Sequence, residues 1–284
     1  MMDRREYMRK ELTGEEVKEI QLDILQAVHD FCLKYDINYS LAYGTLLGAV
    51  RHGGYIPWDD DIDIAMLRDD YERFAQLFNK EGDTYRFYDC RNDKDVHIGF
   101  GKVADTGTLV VEGAATKNLG VAIDIFPIDD LGDTYEEAKC FLNSFNAWKY
   151  LLIMKCRDVS AVRTTWKKPL LGLVKLLTLW YPLHRIPLRM LKRVLENRMP
   201  NSKYVGLILG SGFSEKAIVE RTMWKDLRQI GFENGNYLAI RDYDKYLRRE
   251  YGNYMELPPE EERVPQHDFY GVYRIERISE YASK

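Results

Sequence analysis

The stretch GTLLGAVRHGGYIPWDDDIDIAM, residues 44–66, places Asp59, Asp60, Asp61 and Asp63 within five residues. From Asp61 onward, charged and apolar residues alternate with period two, which is typical of a β-strand. Carboxylates this close together repel one another unless a cation or a proton relieves them. The stretch therefore predicts a cation site at the start of a strand.

The alternation predicts that Asp61 and Asp63 project from one face of a strand over DIDIAM, while Ile62 and Ile64 face the core. Two carboxylates one pleat apart can share a divalent cation. Magnesium fits because it takes one or two protein carboxylates and completes its shell with phosphate oxygens and water. We expect Mg²⁺ here, or Mn²⁺, which accepts the same oxygen ligands.

Other interpretations of the aspartate run give different structures. A run of acids is also typical of a solvated loop, and the run alone leaves that alternative open. An EF-hand loop that begins at Asp59 fails on spacing, because Ile64 would stand where glycine is needed and Asp70 where glutamate is needed. Asp59 and Asp60 are expected to be loop acids that support the site without binding the metal.

The residues before the aspartates indicate a phosphate site. NYSLAYG, residues 38–44, predicts a strand that ends at Gly44, and TLLGAVR, residues 45–51, predicts a short helix directly after it. Free N–H groups and the positive end of the helix dipole favour an anion at such a helix start. Gly44 and Thr45 are therefore expected to bind phosphate oxygens through their backbone.

This order of elements resembles the layout of the nucleotidyltransferase superfamily, in which a third carboxylate comes from a later, neighbouring strand. Here that residue would be Asp124 in VAIDIFPID, residues 121–129. A carboxylate in apolar strand sequence is costly unless it is paired or liganded. Asp124 is expected to complete the metal site, and a structural hydrogen-bonding role is the alternative.

Further from this stretch, the pattern predicts an α+β fold, with an α/β mixed sheet and an added, mostly helical, basic segment. The resemblance to the superfamily implies that the core is nucleotidyltransferase-like. Thr13 and Glu16 form a capping-box pattern ahead of a helix to about Tyr35. Further helices are predicted at residues 68–81 and 242–252, and strands at 84–90, 96–105 and 121–128. We expect a catalytic core over residues 1–133, a helical basic segment over 134–200 and a C-terminal segment over 201–284 that packs back on the core.

Charge is distributed unevenly along the chain. Although the formal net charge is −4, residues 149–198 contain twelve lysines and arginines against Asp158 and Glu196. The apolar stretch inside this basic segment is interrupted by Lys175 and three prolines, so it is too short to span a bilayer. It is expected to lie on an anionic membrane surface, and a core helix hairpin with solvated lysines is the alternative. No DNA- or RNA-binding motif is present, so no nucleic-acid partner is expected.

The cysteines and the N-terminus bear on location. Cys32, Cys90, Cys140 and Cys156 are scattered, without zinc-site or disulfide spacing. The first residues are highly charged and lack the apolar region of a secretory signal. The expected location is cytoplasmic, peripheral to the inner face of the plasma membrane.

Three blocks resemble the LicD family of bacterial phosphorylcholine transferases, to which fukutin-related proteins are more distant relatives. They are YGTLLGAVRHGGYIPWDDDIDIAM (43–66), IDIFPID (123–129) and DYDKYLRREYGNYMELPPEEERVPQH (242–267). Residues 134–200 match no motif of the family. The zinc-binding cysteines of some fukutin-related proteins have no counterpart, which favours the bacterial branch.

The resemblance implies transfer of phosphocholine from CDP-choline to a sugar hydroxyl of a lipid-linked teichoic acid or lipopolysaccharide precursor. It implies that Asp61, Asp63 and Asp124 bind one or two magnesium ions and that Asp124 or a carboxylate beside it accepts the hydroxyl proton. Candidates for substrate contacts are Gly44, Thr45, Arg51, Trp58, Lys102, Arg263 and His267. Arg51 and Lys102 would stabilise charge, and Trp58 would contact choline, although it could equally pack the turn after Pro57.

Two other functions stay open on the sequence. One keeps the fold but changes the donor, to CDP-ribitol or to a nucleoside triphosphate. The other is a membrane-bound interaction module whose acidic cluster only binds a cation. The complete set of carboxylates beside the Gly-Thr turn argues against such a module.

Overall fold

The computed structural model describes residues 8–112, 118–156, 167–209, 214–264 and 269–276. Within these residues the helices are α1 (Gly14–Lys34), α2 (Tyr43–Arg51), α3 (Arg68–Leu77), α4 (Tyr135–Asn143), α5 (Asn146–Cys156), α6 (Lys167–Leu177), α7 (Arg185–Glu196) and α8 (Tyr243–Tyr251). The strands are β1 (Met8–Glu11), β2 (Ser40–Leu41), β3 (Asp63–Leu67), β4 (Tyr85–Tyr88), β5 (Gly101–Asp105), β6 (Thr108–Glu112), β7 (Ala122–Gly132), β8 (Tyr204–Gly206), β9 (Val219–Glu220), β10 (Leu227–Phe232), β11 (Gly235–Ile240) and β12 (Phe269–Glu276).

The main sheet is mixed and has β7 at its centre. Its strand order is β2-β3-β7-β5-β4, and β8 and β9 extend it from the far end of β7. β3 runs parallel to β7, whereas β5 runs antiparallel to it. β7 is long enough for its first half to pair with β3 and β5 while its second half pairs with β8. The predicted α+β class with a mixed sheet is confirmed.

Helix α1 and the apolar face of the sheet form the main core. The predicted capping box is present, because Glu16 N donates to Thr13 Oγ1 and Thr13 N donates to the Glu16 carboxylate. The predicted end at about Tyr35 is confirmed, since Tyr35 is the C-terminal cap of α1. Ile62 and Ile64 are fully buried in the core, as expected from the alternation.

The C-terminal part of the chain packs on the elements that precede it. β12 pairs with β1 and β6 in a separate three-stranded sheet. The β10–β11 hairpin contacts α2 and β2, and α8 also packs on α2. The division into residues 1–133, 134–200 and 201–284 stays a prediction.

A second apolar cluster joins the helical segment to the far end of β7. It contains Leu131 of β7, Leu142 of α4 and Met190 of α7. Ion pairs reinforce the same end of the sheet. Arg68 Nε lies 2.6 Å from Asp129 Oδ1, and both side chains are buried. Burial alone would lower the pKa of Arg68, but the charge and hydrogen bond of Asp129 raise it, so the guanidinium stays charged.

The helical segment is helical as predicted over α4, α5, α6 and α7. In the part of the chain that the structure describes, no helix is both long and apolar enough to cross a membrane.

Candidate active site

A row of charged side chains crosses the middle of the main sheet. Asp63 on β3 is in register with Asp124 on β7, which is in register with Lys102 on β5. Residues directly opposite each other on neighbouring strands project from the same face. Lys102 Nζ lies 2.5 Å from Asp124 Oδ1, and Asp63 is the next carboxylate along the row.

Asp63 is the buried carboxylate of this row. Its side chain is buried, and its Oδ1 atom accepts no hydrogen bond. Burial, followed by the charges of Asp61, Asp124 and Asp59, raises the pKa of Asp63 well above its ordinary value. A buried oxygen without a hydrogen-bond donor, with three further carboxylates nearby, is relieved by a cation or by a proton.

Asp61 does not lie on a strand, which corrects the prediction that β3 covers both aspartates. The strand begins at Asp63, where its pairing with β7 starts, and Asp63 N donates to the side-chain hydroxyl of Thr45, at 2.8 Å. Asp61 therefore belongs to the turn with Asp59 and Asp60. One carboxylate oxygen from each of these three residues lies within 4.8 Å of the others.

The start of α2 faces this acidic turn. The helix begins at Tyr43, so Gly44, which was predicted to end the preceding strand, lies in the first turn of the helix together with Thr45. Gly44 lets the Asp59 carboxylate come close to the backbone, because a Cβ atom at this position would lie 2.5 Å from Asp59 Oδ2. Tyr43 has a φ of 44°, in the left-handed region that non-glycine residues seldom adopt. Such strain often accompanies a functional site.

A cavity of about 950 Å³ opens beside the carboxylates. Asp59, Asp61, Asp63 and Asp124 lie in its wall, together with Gly44. Aromatic rings make up much of the remaining wall, and these are Tyr43, Trp58, Phe100, Phe126, Tyr251 and Tyr254. A cavity of this size accommodates a nucleotide-sized ligand.

The other predicted substrate contacts fall in different places. Arg51 lines the cavity, but its Nη1 donates to the carbonyl oxygens of Tyr254, at 2.7 Å, and Glu256, at 3.2 Å, so it holds the cavity wall. Burial lowers the pKa of Arg51. The guanidinium of Arg263 lies 5.6 Å from the centre of the Trp58 ring, which shows that this ring accepts a cation.

Thr45 and His267 cannot be placed in the cavity wall. Thr45 is buried, and its hydroxyl accepts from Asp63 N, so its side chain holds the backbone at Asp63 from outside the cavity. His267 lies outside the described residues. The substrate-binding roles of Gly44, Thr45, Arg51, Trp58, Lys102, Arg263 and His267 stay predictions.

A second cavity, of about 250 Å³, meets the first at Asp61, Phe100 and Asp124. Its walls are mostly aliphatic, and His97 and Lys102 also line it. The Nδ1 atom of His97 is buried without a hydrogen-bond partner, and burial lowers the pKa of this ring. The carboxylates are therefore accessible from two sides.

The residues present fit magnesium. Asp61, Asp63 and Asp124 offer only hard oxygen donors, which suit Mg²⁺ or Mn²⁺ and not a soft metal. The buried Oδ1 atom of Asp63 lacks a donor, and a cation would supply the missing interaction. The assignment of these three residues as ligands stays a prediction.

Sequence reasoning named Trp58 but missed the other aromatic residues of the cavity wall, and it missed His97. Tyr251 and Tyr254 reach the cavity because α8 packs on α2, a contact between residues about 200 positions apart. The signal for them was the block 242–267, which stands out in the sequence without indicating where it folds. Nothing around His97 distinguishes it from an ordinary surface histidine before the fold is known.

Comparisons with known proteins match the region that carries these carboxylates. The family model described as "LicD/FKTN/FKRP, nucleotidyltransferase domain" matches residues 36–155. This range contains the acidic turn, β3 and the whole of β7.

Two relatives differ in how much of the chain they match. The lipopolysaccharide cholinephosphotransferase LicD of Haemophilus influenzae is 30% identical over 271 residues, which cover 91% of this chain and 97% of that protein. The ribitol 5-phosphate transferase FKRP of Homo sapiens is 44% identical over 45 residues, which cover 16% of this chain and 9% of that protein. Similarity to the first therefore extends over nearly the whole chain.

Proposed function

This chain belongs to the LicD/FKTN/FKRP family and is a transferase, and we propose that it is a magnesium-dependent phosphorylcholine transferase. The donor would be CDP-choline, and the acceptor a sugar hydroxyl of a lipid-linked teichoic acid or lipopolysaccharide precursor. The observation that carries the proposal is the buried, hydrogen-bond-deficient carboxylate of Asp63 beside Asp124, at the wall of a nucleotide-sized cavity.

The proposed metal ligands are Asp61, Asp63 and Asp124. When bound, Mg²⁺ would neutralise negative charge on the diphosphate and on the leaving phosphate. Asp63 is buried next to other carboxylates, so its charged form is unfavourable until a cation binds. The backbone of the β3–β7 pair fixes Asp63 and Asp124 before any ligand arrives.

The reaction would be a single displacement at phosphorus. The acceptor hydroxyl oxygen forms a bond to the phosphorus that carries choline, and the bond from that phosphorus to the bridging oxygen breaks, so CMP leaves with the electron pair. We assign the hydroxyl proton to Asp124. Lys102 donates to its Oδ1 atom, which orients the carboxylate.

Backbone N–H groups at the start of α2 would bind phosphate oxygens, with Gly44 providing room for close approach. Arg51 would act from the far end of α2 by holding the segment around Tyr254 against the cavity. Lys102 would add a positive charge near the transferred group.

The aromatic wall supports choline as the transferred alcohol. A quaternary ammonium cannot donate hydrogen bonds and is recognised by aromatic faces, often with a carboxylate nearby. Trp58, Tyr251 and Tyr254 provide such faces, and Glu256 and Glu262 line the same cavity. The contact between Arg263 and Trp58 indicates that this ring already binds a cationic side chain.

A second candidate keeps the chemistry and changes the donor to CDP-ribitol. It is favoured by the 44% identity to ribitol 5-phosphate transferase FKRP, although that match is short. A polyol needs several hydrogen-bond partners, and Asn253, Glu256 and Glu262 in the same cavity wall could provide them. We rank choline first because the similarity to the cholinephosphotransferase LicD extends over 91% of the chain, against 16% for FKRP.

An acceptor carried on a lipid would place the reaction at the inner face of the plasma membrane. That location is part of the proposal, and its support is the basic charge of residues 149–198.

A donor panel tests the proposal. Purified protein is incubated with Mg²⁺, lipid-linked acceptor and either CDP-choline, CDP-ribitol or a nucleoside triphosphate, and the products are identified by mass spectrometry. We expect CMP and a phosphocholine-modified acceptor from CDP-choline alone. Ribitol phosphate transfer would replace the donor, and nucleotide attachment to the acceptor would replace the reaction.

A further inference from the structure

The helical segment presents a set of exposed apolar side chains, which we call the apolar ridge. It consists of Ile153, Leu173, Leu176, Leu177, Leu179 and Trp180. Leu173, Leu176 and Leu177 share one face of α6 because they are three and four residues apart. Leu179 is 70% exposed and Trp180 is 80% exposed. Apolar surface of this kind on a folded protein marks an interaction site.

The tip of the ridge is held in place by hydrogen bonds. Lys155 Nζ on α5 donates to the carbonyl oxygen of Thr178, at 2.7 Å, and to that of Tyr181, at 2.9 Å. The Tyr181 ring also packs 5.9 Å from Trp148. Leu179 and Trp180 therefore project from a fixed turn between two anchored residues.

A basic groove of about 670 Å³ lies next to the ridge. Arg185, Arg189, Lys192 and Arg193 line it, and so does Tyr181, whose ring is 5.7 Å from Trp180. Arginine and lysine side chains in such a concave surface suit phosphate groups. The groove and the ridge thus offer two kinds of contact side by side.

We propose that the apolar ridge and the basic groove dock the protein on the surface of an anionic phospholipid bilayer. The ridge would enter the boundary between headgroups and acyl chains, with Trp180 at the depth that tryptophan favours, while the groove binds lipid phosphates. A second copy of the chain fits less well, because two basic grooves would face each other. A nucleic acid would leave the ridge exposed.

Only the reason for docking rests on the proposed function, because a lipid-carried acceptor would lie at this membrane surface. The docking itself requires no nucleotide, metal or acceptor. It can therefore be tested without them, so that its failure and a failure of the proposed reaction are separate results.

The test is co-sedimentation of the full chain with vesicles of phosphatidylcholine, with and without phosphatidylglycerol, at low and high salt. We expect binding to the anionic vesicles that salt weakens. Substituting Leu176→Ser, Leu179→Ser and Trp180→Ser together should weaken binding by about ten-fold or more, because the buried apolar area is lost. Arg185→Gln with Lys192→Gln should weaken binding and reduce its salt dependence.

Leu33→Ser is the matched control, because Leu33 is an exposed leucine on α1, outside the ridge. It should bind vesicles as the unmodified protein does, and circular dichroism should show that every variant is folded. The proposal is overturned if the unmodified protein stays in the supernatant at low salt, or if the ridge variant binds equally well. Light scattering that shows an oligomer which the ridge variant dissociates would also overturn it, in favour of a second copy.

Discussion

Strand β7 carries carboxylates near both of its ends. We call the part around Asp124 the near end and the part around Asp129 and Asp130 the far end, and the two differ in how their carboxylates are neutralised. At the far end, Asp129 pairs with Arg68, and Asp130 pairs with Arg221. At the near end, Lys102 pairs with Asp124, and the charges of Asp59, Asp61 and Asp124 act on the buried Asp63, whose pKa is raised. One oxygen of Asp129 also accepts no hydrogen bond, so unmet hydrogen bonds do not separate the two ends.

The difference lies in charge. Arginine within hydrogen-bonding distance neutralises the far end, which makes it a structural clamp between β7, α3 and the residues after β9. The near end keeps an excess of negative charge on rigid strands, which is unfavourable without a cation. Acidic residues on one strand can therefore serve stability at one end and ligand binding at the other.

Removing a carboxylate from the near end should have the largest effect on activity. Asp61→Asn and Asp63→Asn are each expected to reduce turnover by about 10³-fold or more, because charge stabilisation in phosphoryl transfer depends on the bound cation. CMP release measures the loss. Asp23→Asn on the exposed side of α1 is the control and should keep full activity. Activity within about ten-fold of the unmodified protein in both site variants would show that turnover does not need the carboxylates of the near end.

Removing an arginine from the far end should affect stability instead. Arg68→Met is expected to lower the free energy of unfolding by about 3–5 kcal/mol, because it leaves Asp129 charged and buried without its partner. Urea denaturation measures the change. Adding Asp129→Leu to the same protein should recover part of the loss, since both charges are then gone. A change below about 1 kcal/mol for Arg68→Met would show that the far end is not a clamp.

Adding magnesium should stabilise the protein through the near end alone. Binding at a concentration one hundred times the Kd contributes about 2.7 kcal/mol. Thermal unfolding with Mg²⁺ or EDTA should show a higher Tm with Mg²⁺ in the unmodified protein and in Arg68→Met. Asp63→Asn should show little or no shift. An equal shift in Asp63→Asn would place the cation elsewhere.

Without metal, the near end should cost stability as the pH rises. The raised pKa of Asp63 means that its contribution to stability is present below the ordinary aspartate pKa and is lost as the pH rises through the raised value. In EDTA, Asp63→Asn should therefore be more stable than the unmodified protein by about 1 kcal/mol or more near neutral pH. The two should converge in acid. A gap that does not change with pH would rule out this cause.

The elements with local signals were predictable from the sequence. The capping box at Thr13 and Glu16 marks the start of α1, and alternation marks the buried side of β3. Asp124 was recognisable because a carboxylate stands out in an apolar strand, and its register with Asp63 follows from the parallel pairing of β3 and β7.

Features set by distant contacts were not predictable. β3 begins where it pairs with β7, and the N–H of Asp63 donates to the hydroxyl of Thr45 on α2, 18 positions earlier in the chain. Arg51 bonds to carbonyls more than 200 residues away, so its support of the cavity wall has no local signal. The apolar sequence of residues 167–180 suits both a core hairpin and an interfacial helix. Leu176 and Trp180 are exposed in the fold, and this exposure argues against the core hairpin.

The most direct test of the account is anomalous diffraction from crystals of the protein soaked with Mn²⁺ and CDP-choline. We predict a manganese peak bound by carboxylate oxygens of Asp63 and Asp124, with Asp61 beside it and the diphosphate on its open side. Manganese found only at other positions, with the Asp63 carboxylate left without a ligand, would contradict the central claim that the near end of β7 is a cation site.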